Sequence, residues 1–486
     1  MAVTRFAAVD IGAYNVQLKI FEITKEKGIV KIDNLKKEME LGSEVYRTGK
    51  LSFKTIEELC QVLYEFLMVI KGYKITNYAI GATSGIRSAS NINTILDRIK
   101  VRTGFEVKVL SNSEQRFLSF KAVIACESRF AEVTNKPSAI VEVGSTSTQI
   151  SIFEDGVLIA TNNIRLGSIR IRELISGLSE DSSHTDALIE ELLMNDLQTL
   201  TRLYLKDTKV ENVIVIGEIL AADVRKNLPN YKNTIYSATE FLSYSTKAPC
   251  MKIYKKIVET FKAKNVIISD VDMCDAMAAD FALDNKKIKV AHNFDNDILE
   301  EARNICKRYN GSTKHITLLC EHTDEIFDMM KKYHGLNQRD KLMLSIAAIL
   351  HDCGKYVSMR YAAECSYNII MSTEIIGLSH KERELVANVV KYNTTEIGDA
   401  RELGISNEDY LKIVKLVAIL RVSNAMDRSH KQKYKNHKIE IKGNELHIIA
   451  NTEDDITLES SLFKDKADFF EEVYGIKPIL RKKKGM

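Results

Sequence analysis

The sequence has few prolines, and they are distributed unevenly. The four are Pro137, Pro229, Pro249 and Pro478, so none falls in the long span between the last two. A proline-free span rich in Leu, Ile, Ala, Lys and Glu is typical of helices. The sequence therefore predicts an α/β front half and a mainly helical back half, joined by a linker near residues 286–293.

Long apolar runs, paired cysteines and a strong net charge are also absent. No stretch approaches the roughly 20 apolar residues of a transmembrane helix, and Asp10 interrupts an opening apolar run that is too short for a signal peptide. Eight cysteines without CxxC spacing indicate reduced thiols. A net charge of +3 is too small to indicate nucleic acid as the main partner. We therefore expect a cytoplasmic protein that binds neither a membrane nor a nucleic-acid duplex.

Two strand-like runs open the chain and are joined through an acid and a glycine (residues 7–22). The first run ends at Asp10, Gly12 follows, and an alternating run starts at Val16. The pattern predicts a tight β-turn whose N–H groups can face an anion, because glycine lets the main chain come close. Asp10 is then placed to hold Mg²⁺ or a metal-bound water.

The same pattern returns at residues 139–153, where Glu142 and Gly144 take the places of the acid and the glycine. Two such hairpins facing each other would form a clamp for a phosphate chain. The repetition resembles the duplicated, RNase H-like fold of the actin, sugar-kinase and Hsp70 ATPase superfamily. The alternative is two unrelated strand pairs of a globular core.

A strand-to-helix junction between the hairpins carries polar side chains. A strand over residues 78–82 runs into Thr83 and Ser84, and Arg87 lies one turn into the following helix. Hydroxyls, helix N–H groups and a guanidinium at one place can bind an anion. An ordinary capped helix with a surface arginine explains the same residues.

Further elements of the front half follow from periodicity. A second junction places Glu114 in the first turn of a helix, as a general base or as an acid favoured by the helix dipole. The patterns also predict a helix over 55–70 with Thr55 as N-cap, strands over 105–110 and 213–217, and helices over 187–200, 219–227 and 272–282.

Taken in order, five segments resemble the motifs of the Ppx/GppA (exopolyphosphatase / guanosine pentaphosphate phosphatase) family. The family's DIGSNSxRL, ATSAxRxAxN, ISGxEEARL, DIGGGSTE and LGSxR motifs correspond here to residues 10–18, 82–91, 110–118, 142–149 and 166–170. The ordered set is far more specific than any one of its members, and it spans the front half.

The chain departs from these motifs at chemically important positions. An aspartate and the Gly-Gly-Gly cradle of the fourth motif become Glu142 and Gly144-Ser145-Thr146, and a glutamine replaces one glutamate in each of two motifs. The two glutamines are Gln115 and Gln149. The first motif departs at three further positions, Ala13, Tyr14 and Gln17. The resemblance therefore implies the fold more firmly than it implies turnover.

The back half contains eight of the ten histidines. His315 and the pair His351-Asp352 resemble the ligands of the HD phosphohydrolase fold, in which imidazole and carboxylate hold a divalent metal. The late aspartate of that pattern falls on Asn424. We therefore favour a structural role, with His351 and Asp352 bridging helices in a vestigial site.

The resemblance implies four parts. Residues 1–125 and 126–290 would be two actin-like subdomains, residues 291–435 a helical HD-like domain, and residues 436–486 a small α+β cap. It also implies a homodimer whose cofactor is Mg²⁺, or Mn²⁺ in its place, without an organic cofactor.

The implied activity is removal of the terminal phosphoryl group from polyphosphate or from guanosine penta- or tetraphosphate. Asp10 and Glu142 would hold Mg²⁺, and Glu114 would orient the attacking water. The residues implied to clamp the phosphate are Gly12, Thr83, Ser84, Arg87, Gly144, Ser145, Thr146 and Ser147.

Three alternatives remain open. The substitutions Gln115 and Gln149 favour a sensor or scaffold that binds polyphosphate or an alarmone without efficient turnover. A kinase of the same superfamily would transfer phosphate from ATP to an acceptor. An independent phosphodiesterase in the HD-like half ranks last, because its ligand set is incomplete.

Overall fold

The structure is a computed structural model that describes residues 3–127, 130–176, 182–205, 209–217, 234–244 and 249–483. It divides into two compact units, Met1–Asp297 and Ile298–Met486. The division falls in the first turn of a helix, Phe294–Arg308, that follows the predicted linker. The finer division into four domains stays a prediction.

Unit one contains eleven described strands, eleven described α-helices and a short π-helix, Thr201–Leu205. The strands are β1 (Thr4–Ile11), β2 (Asn15–Thr24), β3 (Gly28–Glu38), β4 (Tyr78–Ala82), β5 (Lys108–Val109), β6 (Ser138–Val143), β7 (Thr148–Glu154), β8 (Val157–Ile164), β9 (Asn212–Ile216), β10 (Ile235–Ser237) and β11 (Asn265–Ser269). The helices are α1 (Leu41–Thr48), α2 (Phe53–Gly72), α3 (Ser84–Arg87), α4 (Ile92–Thr103), α5 (Asn112–Cys126), α6 (Phe130–Thr134), α7 (Ser168–Ser176), α8 (Ser182–Leu200), α9 (Ala238–Ser243), α10 (Pro249–Phe261) and α11 (Met273–Asp284).

Two sheets of unit one repeat a single topology. The first sheet has the order β3-β2-β1-β4-β5, and the second has β10-β11-β9-β6-β7-β8. In both, three antiparallel strands continue into two parallel ones, and β10 adds an antiparallel edge to the second sheet. This duplication confirms the predicted actin-like fold.

The central strands are apolar on both faces because both faces are covered. In β1, the residues from Phe6 to Val9 are all buried. Val9 shares a hydrophobic core with Leu63 of α2, while α11 packs against β1 and α5. Burying a side chain such as Leu63 contributes about 1.5–3 kcal/mol. This packing fixes the end of β1, where the first turn begins.

Three predicted elements of unit one differ in detail or cannot be compared. Helix α2 starts earlier than predicted, and its N-cap is Ser52, whose Oγ accepts the N–H of Thr55 at 3.3 Å. The strand predicted over 105–110 is reduced to β5, because it pairs only with Gly81 and Ala82 at the edge of the sheet. The helix predicted over 219–227 lies outside the described residues.

Unit two is mainly helical, as predicted, and ends in a small sheet. Its helices, starting with the one that crosses the division, are α12 (Phe294–Arg308), α13 (Thr313–Met329), α14 (Lys331–His334), α15 (Gln338–Leu350), α16 (Ala362–Ser372), α17 (His380–Tyr392), α18 (Ala400–Leu403), α19 (Asn407–Met426) and α20 (Thr457–Tyr474). The strands are β12 (His437–Lys442), β13 (Glu445–Ala450) and β14 (Lys477–Lys482), and β14 pairs in parallel with β13. Across the described ranges of both units, no helix combines the length and apolar character needed to cross a membrane.

Candidate active site in unit one

The two predicted turns have the same construction. In the first, the N–H of Gly12 donates to the carbonyl of Asn15 at 3.0 Å, and in the second the N–H of Gly144 donates to that of Ser147 at 2.9 Å. Each turn follows a strand that carries an acid two residues before the glycine, Asp10 in β1 and Glu142 in β6. The duplication thus brings equivalent groups to equivalent places.

Close backbone packing fixes both turns. A Cβ at Gly85, in α3, would lie 2.8 Å from the carbonyl oxygen of Gly12. A Cβ at Gly167 would lie 2.5 Å from the backbone of Ser145 and Ser147. Real Cβ atoms do not approach so closely, so these two positions require glycine.

One cleft of about 870 Å³ lies between the turns and opens to solvent. Every residue predicted to hold the phosphate or the metal lines it: Asp10, Gly12, Thr83, Ser84, Arg87, Glu142, Gly144, Ser145, Thr146 and Ser147. The structure therefore brings together side chains that are as much as 137 positions apart in the chain. The roles assigned to them stay predictions.

Glu114 does not line this cleft. Its Oε2 accepts the N–H of Ser111 at 3.1 Å, and its Oε1 lies 3.0 Å from Nζ of Lys108. Ser111 Oγ accepts the N–H of Glu114 in return, so the pair forms a capping box at the start of α5. Gln115 faces the cleft instead, because adjacent residues of a helix point in directions about 100° apart.

Glu142 has an oxygen with no protein partner in the described part of the chain. Its Oε1 accepts a hydrogen bond from Nε2 of Gln115 at 3.2 Å, whereas Oε2 is buried and unpaired. Burial raises the pKa of Glu142, against the hydrogen bonds from Ser119 and Gln115 and the charges of Arg116 and Arg87. Such an oxygen is suited to a cation or to a ligand hydroxyl.

Arg87 enters the cleft with its guanidinium already oriented. It donates to the carbonyl of Leu110 and to Oδ1 of Asn112, and lies 3.4 Å from Oε1 of Gln115. Helix α3, which carries it, is a single turn. The first turn of α5 and the residue Leu110 before it therefore hold the arginine in place, so that a ligand meets a fixed donor.

Sequence reasoning missed a third acid of the cleft, Asp272. Its Oδ1 caps α11, and its Oδ2 lies 2.5 Å from Nζ of Lys19, a buried lysine of β2 that also lies 2.6 Å from Asp275. Burial acts to lower the pKa of Lys19, but the two carboxylates outweigh it and raise that pKa. Burial and the charge of Asp272 raise the pKa of Asp275 to about 6.

The predicted vestigial site lies in unit two. His315 Nε2 is 3.3 Å from Nε2 of His351, which is 3.2 Å from Oδ2 of Asp352. The late carboxylate is Asp427, whose Oδ2 lies 2.8 Å from Nδ1 of His315, although the sequence pattern placed that position at Asn424. Asp427 directly follows α19, so its side chain turns back towards α13.

The side chains of this cluster contact one another at the ends of helices. No group of three or more His, Cys, Asp and Glu side chains within the described ranges is arranged to hold a metal ion. Burial acts to raise the pKa of Asp352, but hydrogen bonds and charges from His351 and Lys355 outweigh it and lower that pKa. The contacts join α13 to the ends of α15 and α19, and the helix-bridging role stays a prediction.

Comparison with known proteins gives two family matches. The model of the Ppx/GppA phosphatase family matches residues 19–256, and that of Ppx/GppA phosphatase domain III matches residues 300–467.

Individual relatives are distant. A bifunctional 3-dehydroquinate synthase/phosphatase of Fusobacterium nucleatum is 25% identical over 173 residues, which are 34% of this chain and 26% of that protein. Exopolyphosphatase 1 of Mycobacterium tuberculosis is 24% identical over 119 residues, 24% of this chain and 35% of that protein. The chain thus spans about a quarter to a third of the length of these curated relatives.

Solved structures with a similar fold include a Ppx/GppA family member of Aquifex aeolicus, with a TM-score of 0.47 and 22% identity. An exopolyphosphatase of Cytophaga hutchinsonii has a TM-score of 0.47 and 16% identity. Each alignment covers 60% of this chain and 100% of the other chain. On the strength of the two family matches, which together cover most of its length, the chain belongs to the Ppx/GppA phosphatase family.

Proposed function

We propose that the protein is a phosphohydrolase that removes the terminal phosphoryl group from inorganic polyphosphate or from guanosine pentaphosphate. One observation carries the proposal. All ten residues that the motifs predict for phosphate and metal line a single cleft in unit one. The family membership supports the same reaction class.

The charge of the cleft supports a requirement for a cation. The charged side chains among its described lining residues are the guanidinium of Arg87 and the carboxylates of Asp10, Glu142 and Asp272, of which Asp272 is paired with Lys19. A phosphate chain alone would meet the two acids Asp10 and Glu142 beside one arginine, and the repulsion costs free energy at short range. The proposed site therefore binds its ligand together with Mg²⁺ or Mn²⁺.

The available oxygens fit such an ion. Mg²⁺ is commonly held by one or two carboxylates together with waters and substrate phosphates. Asp10 and Glu142 would supply the carboxylates, and Oε2 of Glu142 is unpaired among the described residues. When bound, the ion would neutralise charge on the transferred phosphoryl group.

The remaining groups bind and orient the phosphate. The hydroxyls of Thr83, Ser84 and Ser147 are donors that line the cleft, and Arg87 adds a fixed cation. Fixed donors stabilise charge that develops on phosphate oxygens without a cost of reorganisation. Glu114 as the base that orients water is a separate prediction, and its place in the capping box gives it no support.

The test is release of free phosphate from polyphosphate and from guanosine pentaphosphate in the presence of Mg²⁺. Asp10→Asn keeps the shape of the cleft and removes one charge, and should abolish release. The matched control is Asp97→Asn, because Asp97 lies exposed on α4. Activity that survives in Asp10→Asn, or that is absent from the unmodified protein, would overturn the proposal.

One observation favours a second candidate function, a sensor or scaffold with little turnover. Beside Glu142 the cleft presents the amides of Gln115 and Gln149, and an amide cannot accept a proton as a general base does. Binding of polyphosphate in calorimetry, without phosphate release above that of Asp10→Asn, would support this candidate. Release well above that background would exclude it.

We further propose a cytoplasmic homodimer. All eight cysteines are free thiols, two of them in intermediate positions and one exposed, which supports a reducing compartment. Sedimentation at micromolar concentration would distinguish a dimer from a monomer.

A further inference from the structure

A short segment of unit two, residues 355–361, exposes four large apolar side chains to solvent. They are Tyr356, Val357, Met359 and Tyr361, which are between 54% and 78% exposed. Exposed apolar residues that stand alone are ordinary, whereas a contiguous group of them is typical of an interaction site. This segment, the tyrosine loop, lies between α15 and α16 and takes no part in the cleft of unit one.

The backbone of the tyrosine loop is held in a fixed shape. The N–H groups of Val357 and Ser358 both donate to the carbonyl of Gly354, each at 3.0 Å. Ser358 Oγ in turn accepts the N–H of Tyr361 at 3.2 Å. A Cβ at Gly354 would overlap the carbonyl oxygen of Ala362, so the loop packs directly against the start of α16. Its exposed side chains therefore meet a partner without refolding of the loop.

Two tyrosine rings of the loop have neighbours that orient them. Tyr356 packs edge-on against Tyr309, with the ring centroids 5.8 Å apart and the planes at 80°. The guanidinium of Arg360 lies over the ring of Tyr361, 5.3 Å from its centroid. Aromatic rings and guanidinium planes are the surfaces on which unpaired nucleobases stack.

Exposed cations accompany these rings. They are Lys307, Arg308, Arg360, Arg428 and Lys431. The first two directly precede Tyr309, the third belongs to the tyrosine loop, and the last two belong to a loop over residues 428–431 that also contains His430.

His430 brings its loop close to the tyrosine loop. Its ring stacks on that of His315 with the centroids 3.8 Å apart, and Nε2 of His315 lies 3.3 Å from Nε2 of His351. The next residue, Asp352, binds Nζ of Lys355 at 2.5 Å. Burial lowers the pKa of His430, and the charges of His315 and Lys355 act in the same direction. The cations of both loops therefore face one ligand together.

The positive charge of this surface is local. The acids that contact the two loops, Asp352 and Asp427, are already paired with Lys355 and His315. The whole chain carries a net charge of only +3, so the cations are concentrated here rather than spread evenly. Clustered cations attract a polyanion, and the neighbouring rings favour a polyanion that carries planar bases.

We propose that the tyrosine loop, together with Tyr309 and residues 428–431, binds single-stranded nucleic acid, with tyrosines stacking on bases and cations contacting phosphates. A duplex fits less well, because its bases already stack on one another. Polyphosphate offers no planar group to the tyrosines. A membrane-binding loop would favour Trp, Phe and Leu, none of which lies in residues 355–361. The proposal is independent of the proposed function, because it uses no residue of the cleft.

The experiment measures the fluorescence anisotropy of labelled oligouridylate and of labelled oligodeoxythymidylate with the full chain at low salt. Tyr356→Ala and Tyr361→Ala should each weaken binding by about 10-fold or more, because each removes one stacking platform. Tyr356→Phe keeps the ring and should keep the affinity. Arg360→Met should weaken binding and reduce its salt dependence. Binding of either oligonucleotide with this pattern supports the proposal, and the stronger of the two identifies RNA or DNA.

The matched control is Tyr333→Ala. Tyr333 is also exposed, at 47%, but it follows the far end of α13, whose length separates it from His315 by roughly 20 Å. Its replacement should leave oligonucleotide binding unchanged. All variants should release phosphate and bind inorganic triphosphate as the unmodified protein does, and thermal unfolding confirms that each is folded. A protein without phosphatase activity would refute the proposed function and leave this test intact.

Four results would overturn the proposal. One is that neither oligonucleotide binds, and another is that Tyr333→Ala weakens binding as much as Tyr356→Ala. A third is binding that polyphosphate displaces and that neither tyrosine variant affects, which would indicate a general polyanion surface. The fourth is that Tyr356→Ala abolishes flotation with phosphatidylserine vesicles, or dimerisation in sedimentation, while no oligonucleotide binds. That result would assign the loop to a membrane surface or to a contact between two copies of the chain.

Discussion

Replacing Glu114 by alanine tests whether this acid caps a helix or takes part in a reaction. Its two oxygens bind Ser111 N–H at 3.1 Å and Lys108 Nζ at 3.0 Å, and its side chain is 14% exposed. Loss of a cap typically costs about 1 kcal/mol. The ion pair adds at most a few tenths, about 0.3 kcal/mol, because the Lys108 side chain is 68% exposed.

We therefore expect the free energy of unfolding of Glu114→Ala to fall by about 1 kcal/mol. For a unit of this size, the fall corresponds to a Tm lower by about 2–4 °C. Glu114→Gln should lose less than half as much, because glutamine also completes a capping box. Ser111→Ala removes the other half of the same box and should resemble Glu114→Ala.

The assay combines thermal unfolding with phosphate release measured on the same preparations. If Glu114 only caps the helix, Glu114→Ala should lower the Tm, and Glu114→Gln should leave turnover unchanged with a smaller fall in Tm. A general base contributes on the order of 10²–10⁴-fold to the rate. A loss of that size in Glu114→Gln, with Tm unchanged, would refute our reasoning and return Glu114 to the reaction.

Three further predictions follow from buried contacts. Lys19→Met leaves the partly buried carboxylates of Asp272 and Asp275 without their cation and should lower the free energy of unfolding in urea by about 3 kcal/mol, whereas exposed Lys54→Met should change little. Gly167→Ala places a Cβ 2.5 Å from the second turn and should abolish triphosphate binding, unlike Gly72→Ala, which meets open space. Burial, and then His437, lowers the pKa of His322 from 6.5 to about 4. Because folding disfavours the protonated imidazole, the stability of unit two should fall as the pH drops from 6.5 towards 4, and His322→Gln should flatten this dependence in Tm measurements.

The fold was largely predictable from the sequence because its signals are local and occur twice. Alternating apolar residues ending in an acid and a glycine predicted both hairpins, and the register pairs them alike, Asp10 with Gln17 and Glu142 with Gln149. Edge strands were less predictable. Strand β5 has only two paired residues, because its length depends on a neighbour that a local pattern does not show.

The candidate site was predictable where a motif lies on a turn and not where it lies on a helix. On a turn the backbone itself faces the cleft, so a motif that contains Gly12 or Gly144 is enough to locate this part of the site. On α5, neighbouring residues point in different directions. Gln115 therefore lines the cleft, whereas Glu114 forms the capping box with Ser111. The Ser111–Glu114 spacing was the available signal.

Contacts between distant segments gave no signal at all. Asp272 reaches the cleft because Lys19, far away in sequence, neutralises it inside the fold. Asp427 meets His315 because it follows the last turn of α19, whereas the motif alone placed the late position three residues earlier. Neither contact is accompanied by a hydrophobic periodicity or a motif spacing from which it could be predicted.

The acids and amides of the cleft lead to one expectation about its chemistry. Asp10 and Glu142 remain, and their oxygens can hold a cation, whereas positions 115 and 149 carry amides. An amide can orient a carboxylate, as Gln115 does for Glu142 at 3.2 Å, but it cannot take a proton from water. Ligand binding needs only the retained groups, while hydrolysis also needs a proton acceptor. The departures from the family motifs should therefore lower kcat more than they raise KM.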